Sequence, residues 1–266
     1  MKRWVIKAGS NMVCSGGPLL LRAWMQQVAA LRRDYKIEVI WVTSGAIASA
    51  VDRTQFKKRK RSLAEKQALS AIGQPMVMDL YNLSLQAVGC IGAQVLLTYD
   101  DMANRHRRVN FQNTLETLLG WDAVPILNEN DAVATEEIRF GDNDSLSAKI
   151  AKVMAADRLV ILTDVEGLFD SDPRKNPKAK LVQDVPKVTS KVLKLAGTGA
   201  GSVRGTGGMY SKLVAAREAA QEGVETWLVK GDLPQVLLRV AANSAVGTRI
   251  GPNTRSAHPK SRICAK

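Results

Sequence analysis

Short apolar runs and helix-period segments take turns along this chain, and few folds accept that order. "WVIKAG" reads as a buried strand, after which Leu21, Trp24, Met25, Val28 and Leu31 recur at helical spacing through "LLLRAWMQQVAALRR". "IEVIWVTSG", "AQVLLT", "AVPILNEN", "RLVILTD" and "ETWLVKG" are further strand candidates. Helical runs such as "FQNTLETLLG", "LSAKIAKVMAA" and "SKLVAAREAAQEG" lie between them. Ser62 and Glu65 have capping-box spacing at the start of "SLAEKQALSAIGQ", and Pro75 is placed to open another helix. "GLFDSDPRKNP" interrupts the rhythm with turn residues and reads as a surface hairpin or loop. Strands alternating with helices predict a layered α/β fold around a mostly parallel sheet.

A length of 266 residues with 45% hydrophobic content suffices for one large domain or two closely joined lobes. No run reaches membrane-spanning length, and the N-terminal apolar stretch is too short for a signal peptide, so a cytoplasmic protein is expected. Cys14, Cys90 and Cys264 lack C-x-x-C spacing and are read as free thiols; with only His106 and His258 beside them, neither a structural zinc nor a His-based triad is expected. The balance of 38 Lys+Arg against 25 Asp+Glu gives a net charge of +13. Such a surface attracts anionic metabolites as well as nucleic acid. Part of the excess sits in "RTQFKKRKR", from Arg53 to Arg61, and in the tail "TRSAHPKSRICAK", which carries no aromatic residue for base stacking; no specific nucleic-acid partner is expected.

Ligands of open parallel sheets bind beyond the carboxyl ends of the strands. Here the strand candidates are followed by Lys7-Ala8-Gly9-Ser10, Thr43-Ser44-Gly45-Ala46, Asn128-Glu129-Asn130-Asp131 and Thr163-Asp164. Wet loops explain any one polar strand end; four together point to a site. Late in the chain "RGTGGMYSK" packs glycines ahead of a helix and closes on Lys212, an arrangement that lets backbone N–H groups approach phosphate. Taken alone it could equally be a flexible connector, and it fits neither the P-loop nor the dinucleotide fingerprint.

Taken in order, "VIKAGS", "VTSGAIASA", "PILNENDAVAT", "FGDNDSLSA", "LTDVEGLF" and "GTGGMYSK" resemble the signature segments of the amino acid kinase family, and the N-E-N-D and G-D-N-D pair resembles its glutamate 5-kinase branch. Ala50 stands where glycine is common and Ser211 where threonine is frequent. The resemblance implies a three-layer αβα sandwich of the carbamate kinase-like type. It implies an amino acid kinase domain over about 1–256, with a substrate lobe at about 1–155 and a nucleotide lobe at about 156–256; a basic tail at 257–266 follows, and the PUA domain that many glutamate 5-kinases carry is not expected. The implied reaction is ATP-dependent phosphorylation of the L-glutamate γ-carboxylate, the first step towards proline. Mg²⁺ would bridge the phosphates with no all-protein metal cage, L-proline would be a feedback inhibitor, and a homo-oligomer is expected.

On the matching positions, Lys7 and Lys212 resemble the two lysines that neutralise the transferring group, and Asp144 the aspartate that holds them. Ser44, Gly45, Asp131 and Asn143 would grip the amino acid, with Asp131 suited to the ammonium and Ser44 and Asn143 able to donate to carboxylates. The nucleotide would meet Lys7, Gly9, Ser10, Thr163, Asp164, Thr206, Gly207, Gly208, Met209, Tyr210, Ser211 and Lys212. Other members of the family, acting on acetylglutamate, aspartate or UMP, are the nearest alternatives, and a catalytically silent nucleic-acid-binding scaffold is a more distant one.

Overall fold

The buried apolar runs become the strands of one sheet in the computed structural model, which describes residues 1–54, 56, 60–134, 143–196 and 208–251. In chain order the elements are β1 (Lys2–Ala8), α1 (Ser10–Tyr35), β2 (Ile37–Val42), α2 (Ala46–Thr54), α3 (Leu63–Gln86), β3 (Ile91–Leu97), α4 (Tyr99–Ala103), α5 (Arg105–Gly120) and β4 (Ala123–Glu129). They continue with α6 (Asn143–Val153), β5 (Arg158–Thr163), β6 (Asp184–Val185), α7 (Ser190–Leu195), α8 (Met209–Gln221), β7 (Glu225–Lys230), α9 (Val236–Ala241) and β8 (Thr248–Ile250). The sheet order is β3-β4-β2-β1-β5-β7-β8-β6, and every pairing is parallel except β7 with β8.

Alternation along β1 explains why both faces are covered. Trp4, Ile6 and Ala8 join one apolar cluster with α1, α3 and α9, whereas Val5 joins the other with α5, α6 and α8. The chain leaves β1 in opposite directions, to β2 on one side and to β5 on the other. This reversal opens a crevice at the carboxyl ends of the central strands. No described helix is long and apolar enough to cross a membrane.

The capping box forms as expected: the Ser62 side chain accepts from the Glu65 N–H, and Glu65 accepts from the Ser62 N–H. The segment at 168–182 closes as a hairpin-like loop, with Phe169 bridged to Leu181. Pro75 differs from expectation. It lies inside α3 and does not open a helix, because buried Val77, Met78, Tyr81 and Leu85 keep the later turns packed on the sheet. Packing there outweighs one missing backbone N–H.

Two glycines set the geometry around α2. Gly45 takes φ +98°, a region that side chains disfavour, and so turns the chain from β2 into the helix. A Cβ on Gly73 would lie 1.7 Å from the Ala46 carbonyl oxygen, so α3 touches the first residue of α2 backbone to backbone. Gly73→Ala is therefore expected to cost about 1–3 kcal/mol through overpacking. Thermal unfolding reads the loss, and an unchanged Tm would show that the two helices separate without penalty.

Candidate active site

Strand ends and helix starts meet around a cavity of about 650 Å³. It is lined from the ends of β1, β2, β4 and β5 and the first turns of α1, α2, α6 and α8. Helix starts carry unpaired N–H groups and partial positive charge. Gly9 caps α1 and Gly208 caps α8, neither with a side-chain hydrogen bond, so those donors remain available to an anion.

At the centre lies a buried charge cluster. Lys7 comes from the end of β1, Asp144 from the first turn of α6 and Lys212 from the first turn of α8. Lys7 Nζ is 2.6 Å from Asp144 Oδ1, and Lys212 Nζ is 3.1 Å from Oδ2. Ser211 Oγ donates to the same Oδ2 at 2.8 Å. The three charged residues are 4%, 0% and 5% exposed, which leaves almost no water to solvate them. Burial alone pushes the Asp144 carboxyl up, but the charges of Lys7 and Lys212, with hydrogen bonds from Lys7 and Ser211, outweigh it and hold the pKa below its ordinary value. Asp144 also benefits from its helix start, whereas Lys212 sits against the dipole of its own helix and depends on Asp144. One carboxylate thus bridges two ammonium groups beside the cavity.

Next to this centre the cavity carries hydrogen-bonding groups of defined polarity. Asn143 Nδ2 lies 2.6 Å from the Thr43 carbonyl, 2.8 Å from Ser44 Oγ and 2.8 Å from Asn128 Oδ1, three acceptors that share its two hydrogens. Its amide hydrogens are thus committed to protein acceptors. This departs from the expectation that Asn143 donates to a carboxylate; Oδ1 is the atom it has left for a ligand. Ser44 Oγ accepts from Asn143 and keeps its own hydrogen to donate. Behind them, Tyr81 Oη accepts from Trp41 Nε1 at 2.9 Å and lies 3.0 Å from Thr43 Oγ1. This buried pair fixes the end of β2.

The remaining expected residues divide clearly. Lys7, Gly9, Ser10, Ser44, Gly45, Asp131, Asn143, Thr163, Asp164 and Lys212 all line the cavity. Thr163 Oγ1 donates to Asp164 Oδ1 at 3.2 Å, and Asn11 Nδ2 approaches Asp164 Oδ2 at 3.5 Å. Gly208 caps α8, Met209 packs against the apolar cluster and Tyr210 is exposed; none of the three lines the cavity. Thr206 and Gly207 lie outside the described residues, as does the basic tail.

Sequence reasoning missed Asn128, Asp52, Arg61 and Lys66 in the lining. Asn128 stood in a quoted strand end and was detectable there. Arg61 closes the basic run that begins at Arg53, which by itself points to no site. Cys14 lies beside Gly45, whose carbonyl accepts from its Sγ, and burial pushes its thiol up.

Three comparisons bear on this arrangement. The sequence matches the amino acid kinase family over residues 2–230. It is 42% identical over 255 residues to a glutamate 5-kinase of Ectopseudomonas mendocina and 45% identical over 253 residues to one of Burkholderia multivorans, in each case covering 94% of this chain and 68% of the relative. In three dimensions it is similar to UMP kinase from Bacillus anthracis, with a TM-score of 0.63, 17% identity, and 95% of this chain and 97% of that chain covered. It is also similar to carbamate kinase from Giardia lamblia bound to AMP-PNP, with a TM-score of 0.65, 15% identity, and 94% and 98% covered.

Proposed function

Because this chain belongs to the amino acid kinase family, we propose that it transfers the γ-phosphoryl group of ATP to the γ-carboxylate of L-glutamate, giving L-glutamyl 5-phosphate for proline biosynthesis. The observation that carries this reading is the buried Lys7–Asp144–Lys212 centre beside the Ser44, Asn143 and Asp131 groups.

The acceptor needs no general base. A glutamate side chain has a reference pKa of about 4.3, so its carboxylate is ionised at neutral pH. A carboxylate oxygen attacks the γ-phosphorus, the bond from that phosphorus to the β-bridging oxygen breaks, and ADP leaves with the electron pair. The obstacle is repulsion between two anions, which positioning and fixed positive charge overcome. Lys7 and Lys212 supply that charge, and Asp144 keeps both ammonium groups in place without cancelling them. The starts of α1 and α8, whose glycine caps bring no side-chain hydrogen bond, suit the phosphates. At the other end, Ser44 donates to a carboxylate, while Asp131 and Asn143 Oδ1 accept from the substrate ammonium.

Mg²⁺ enters this reading bound to ATP. Among the described residues no three His, Cys, Asp or Glu side chains gather to hold a metal, whereas the lysines and helix starts fit phosphate oxygens. When bound with the nucleotide, Mg²⁺ would supply further neutralisation of the transferring group.

ADP release across an acceptor panel, with hydroxylamine trapping the acyl phosphate, tests the proposal. L-Glutamate is expected to be the preferred acceptor. L-Proline, which shares the α-amino and α-carboxylate groups but has no side-chain carboxylate, is expected to compete with glutamate and not with ATP. Equal or faster turnover of aspartate, acetylglutamate or UMP would overturn the assignment.

A further inference from the structure

Helix α3 does more than cover the sheet. On one face it carries Gln67, Ser70 and Gln74, spaced by three and four residues and so aligned along the helix. Each reaches the strand-end segment that holds the acidic substrate residues. Gln67 Nε2 donates to the Ala134 carbonyl at 3.2 Å, Ser70 Oγ approaches Asp131 Oδ2 at 3.5 Å, and Gln74 Oε1 accepts from Asn128 Nδ2 at 2.8 Å. Through Gly73 the same helix touches Ala46, two residues after Ser44. Both parts of the acceptor end therefore rest on α3.

The amide polarities follow from two backbone groups that cannot turn over. The Glu129 N–H donates to Asn128 Oδ1 at 3.0 Å, so Nδ2 of Asn128 must face Gln74, and Gln74 must present its oxygen. The Thr43 carbonyl accepts from Asn143, so Nδ2 of Asn143 faces the same Asn128 oxygen. Gln74, Asn128 and Asn143 form one chain of amides with a single consistent sense. Gln74 is 7% exposed, and among the described residues its Nε2 is buried without a hydrogen-bond partner. An apolar side chain would avoid that orphan donor, so packing does not account for an amide here; its oxygen does.

We infer that Gln74 is a positioning residue for the acceptor amino acid, setting Asn143 through Asn128, with Ser70 and Gln67 holding the rest of the segment. It touches no substrate and acts only through the amide chain. The inference rests on glutamate being the acceptor, so the parent enzyme is assayed first; if the panel identifies another acceptor, that compound replaces glutamate in the kinetics below.

Gln74→Met keeps the length and volume but removes the acceptor. The expected result is a rise of about tenfold in KM for glutamate, with KM for ATP within about twofold of the parent. The thermal shift produced by glutamate should shrink, while that produced by ATP stays. Gln74→Glu retains an acceptor oxygen and should keep KM for glutamate within about 1.5-fold of the parent. Ser70→Ala, a smaller change, should raise the same KM by about threefold and serves as the test if Gln74→Met does not fold. An unchanged KM for glutamate in the folded variant, or equal rises for both substrates, would reduce the stripe to packing and overturn the inference.

Discussion

Asp144→Asn is expected to destabilise the protein by about 3–5 kcal/mol, the usual consequence of removing one partner from a buried charge cluster. Asparagine fills nearly the same space, so the loss is electrostatic. Lys7 and Lys212 are 4% and 5% exposed and would face each other without their shared counter-charge. Activity should fall by at least about 10²–10³, because the ammonium groups lose the geometry that aims them at the phosphates. The acid dependence supplies a second readout. The Asp144 pKa is depressed on folding, so its contribution is fully present above the ordinary value of 3.8 and is lost as pH falls through the lower folded value. The stability gap between parent and variant should therefore be widest near neutrality and close only below about pH 4. Denaturant unfolding at neutral and acid pH measures it; a variant as stable as the parent at neutral pH would show that the lysines relax into solvent.

The meeting of these three residues also marks what a linear reading could and could not supply. Strands β1, β2, β3, β4, β5 and β7 were legible as apolar runs, which parallel strands buried on both faces keep continuous. The two-residue β6 and the six-residue α7 and α9 were not, since elements that short carry no period. Pro75 misled because local backbone chemistry was weighed without the core that α3 covers. Lys7, Asp144 and Lys212 were found through motif resemblance, and nothing in their spacing predicts a bridged carboxylate. The α3 stripe had no signal at all: Gln67, Ser70 and Gln74 look like the wet side of any helix until Asn128, Asp131 and Ala134 are placed against them. Arg61 illustrates the same limit, since a basic run gives no hint that its last residue borders the cavity.

Lys212→Ala separates the catalytic part of the cluster from the structural part. Asp144 would keep Lys7 at 2.6 Å and Ser211 at 2.8 Å, so its charge stays compensated and the fold should lose less stability than in the asparagine variant. One of the two ammonium groups that Asp144 bridges is, however, lost from the place where the phosphoryl group is transferred. If Lys212 meets charge that shifts during transfer, kcat should fall about 10²–10³ while KM for ATP changes little. Lys212→Arg should not recover full activity, because a broad planar fork replaces a point charge in a site where the lysine is 5% exposed. Gly208→Ala offers the opposite pattern. Among the described residues a Cβ there meets no atom within 4 Å, so a penalty should appear as weaker nucleotide binding at the start of α8. Steady-state kinetics on the three variants distinguish the roles: near-native kcat in Lys212→Ala would make the lysine a mere counter-ion for Asp144 and leave Lys7 to carry the transfer alone.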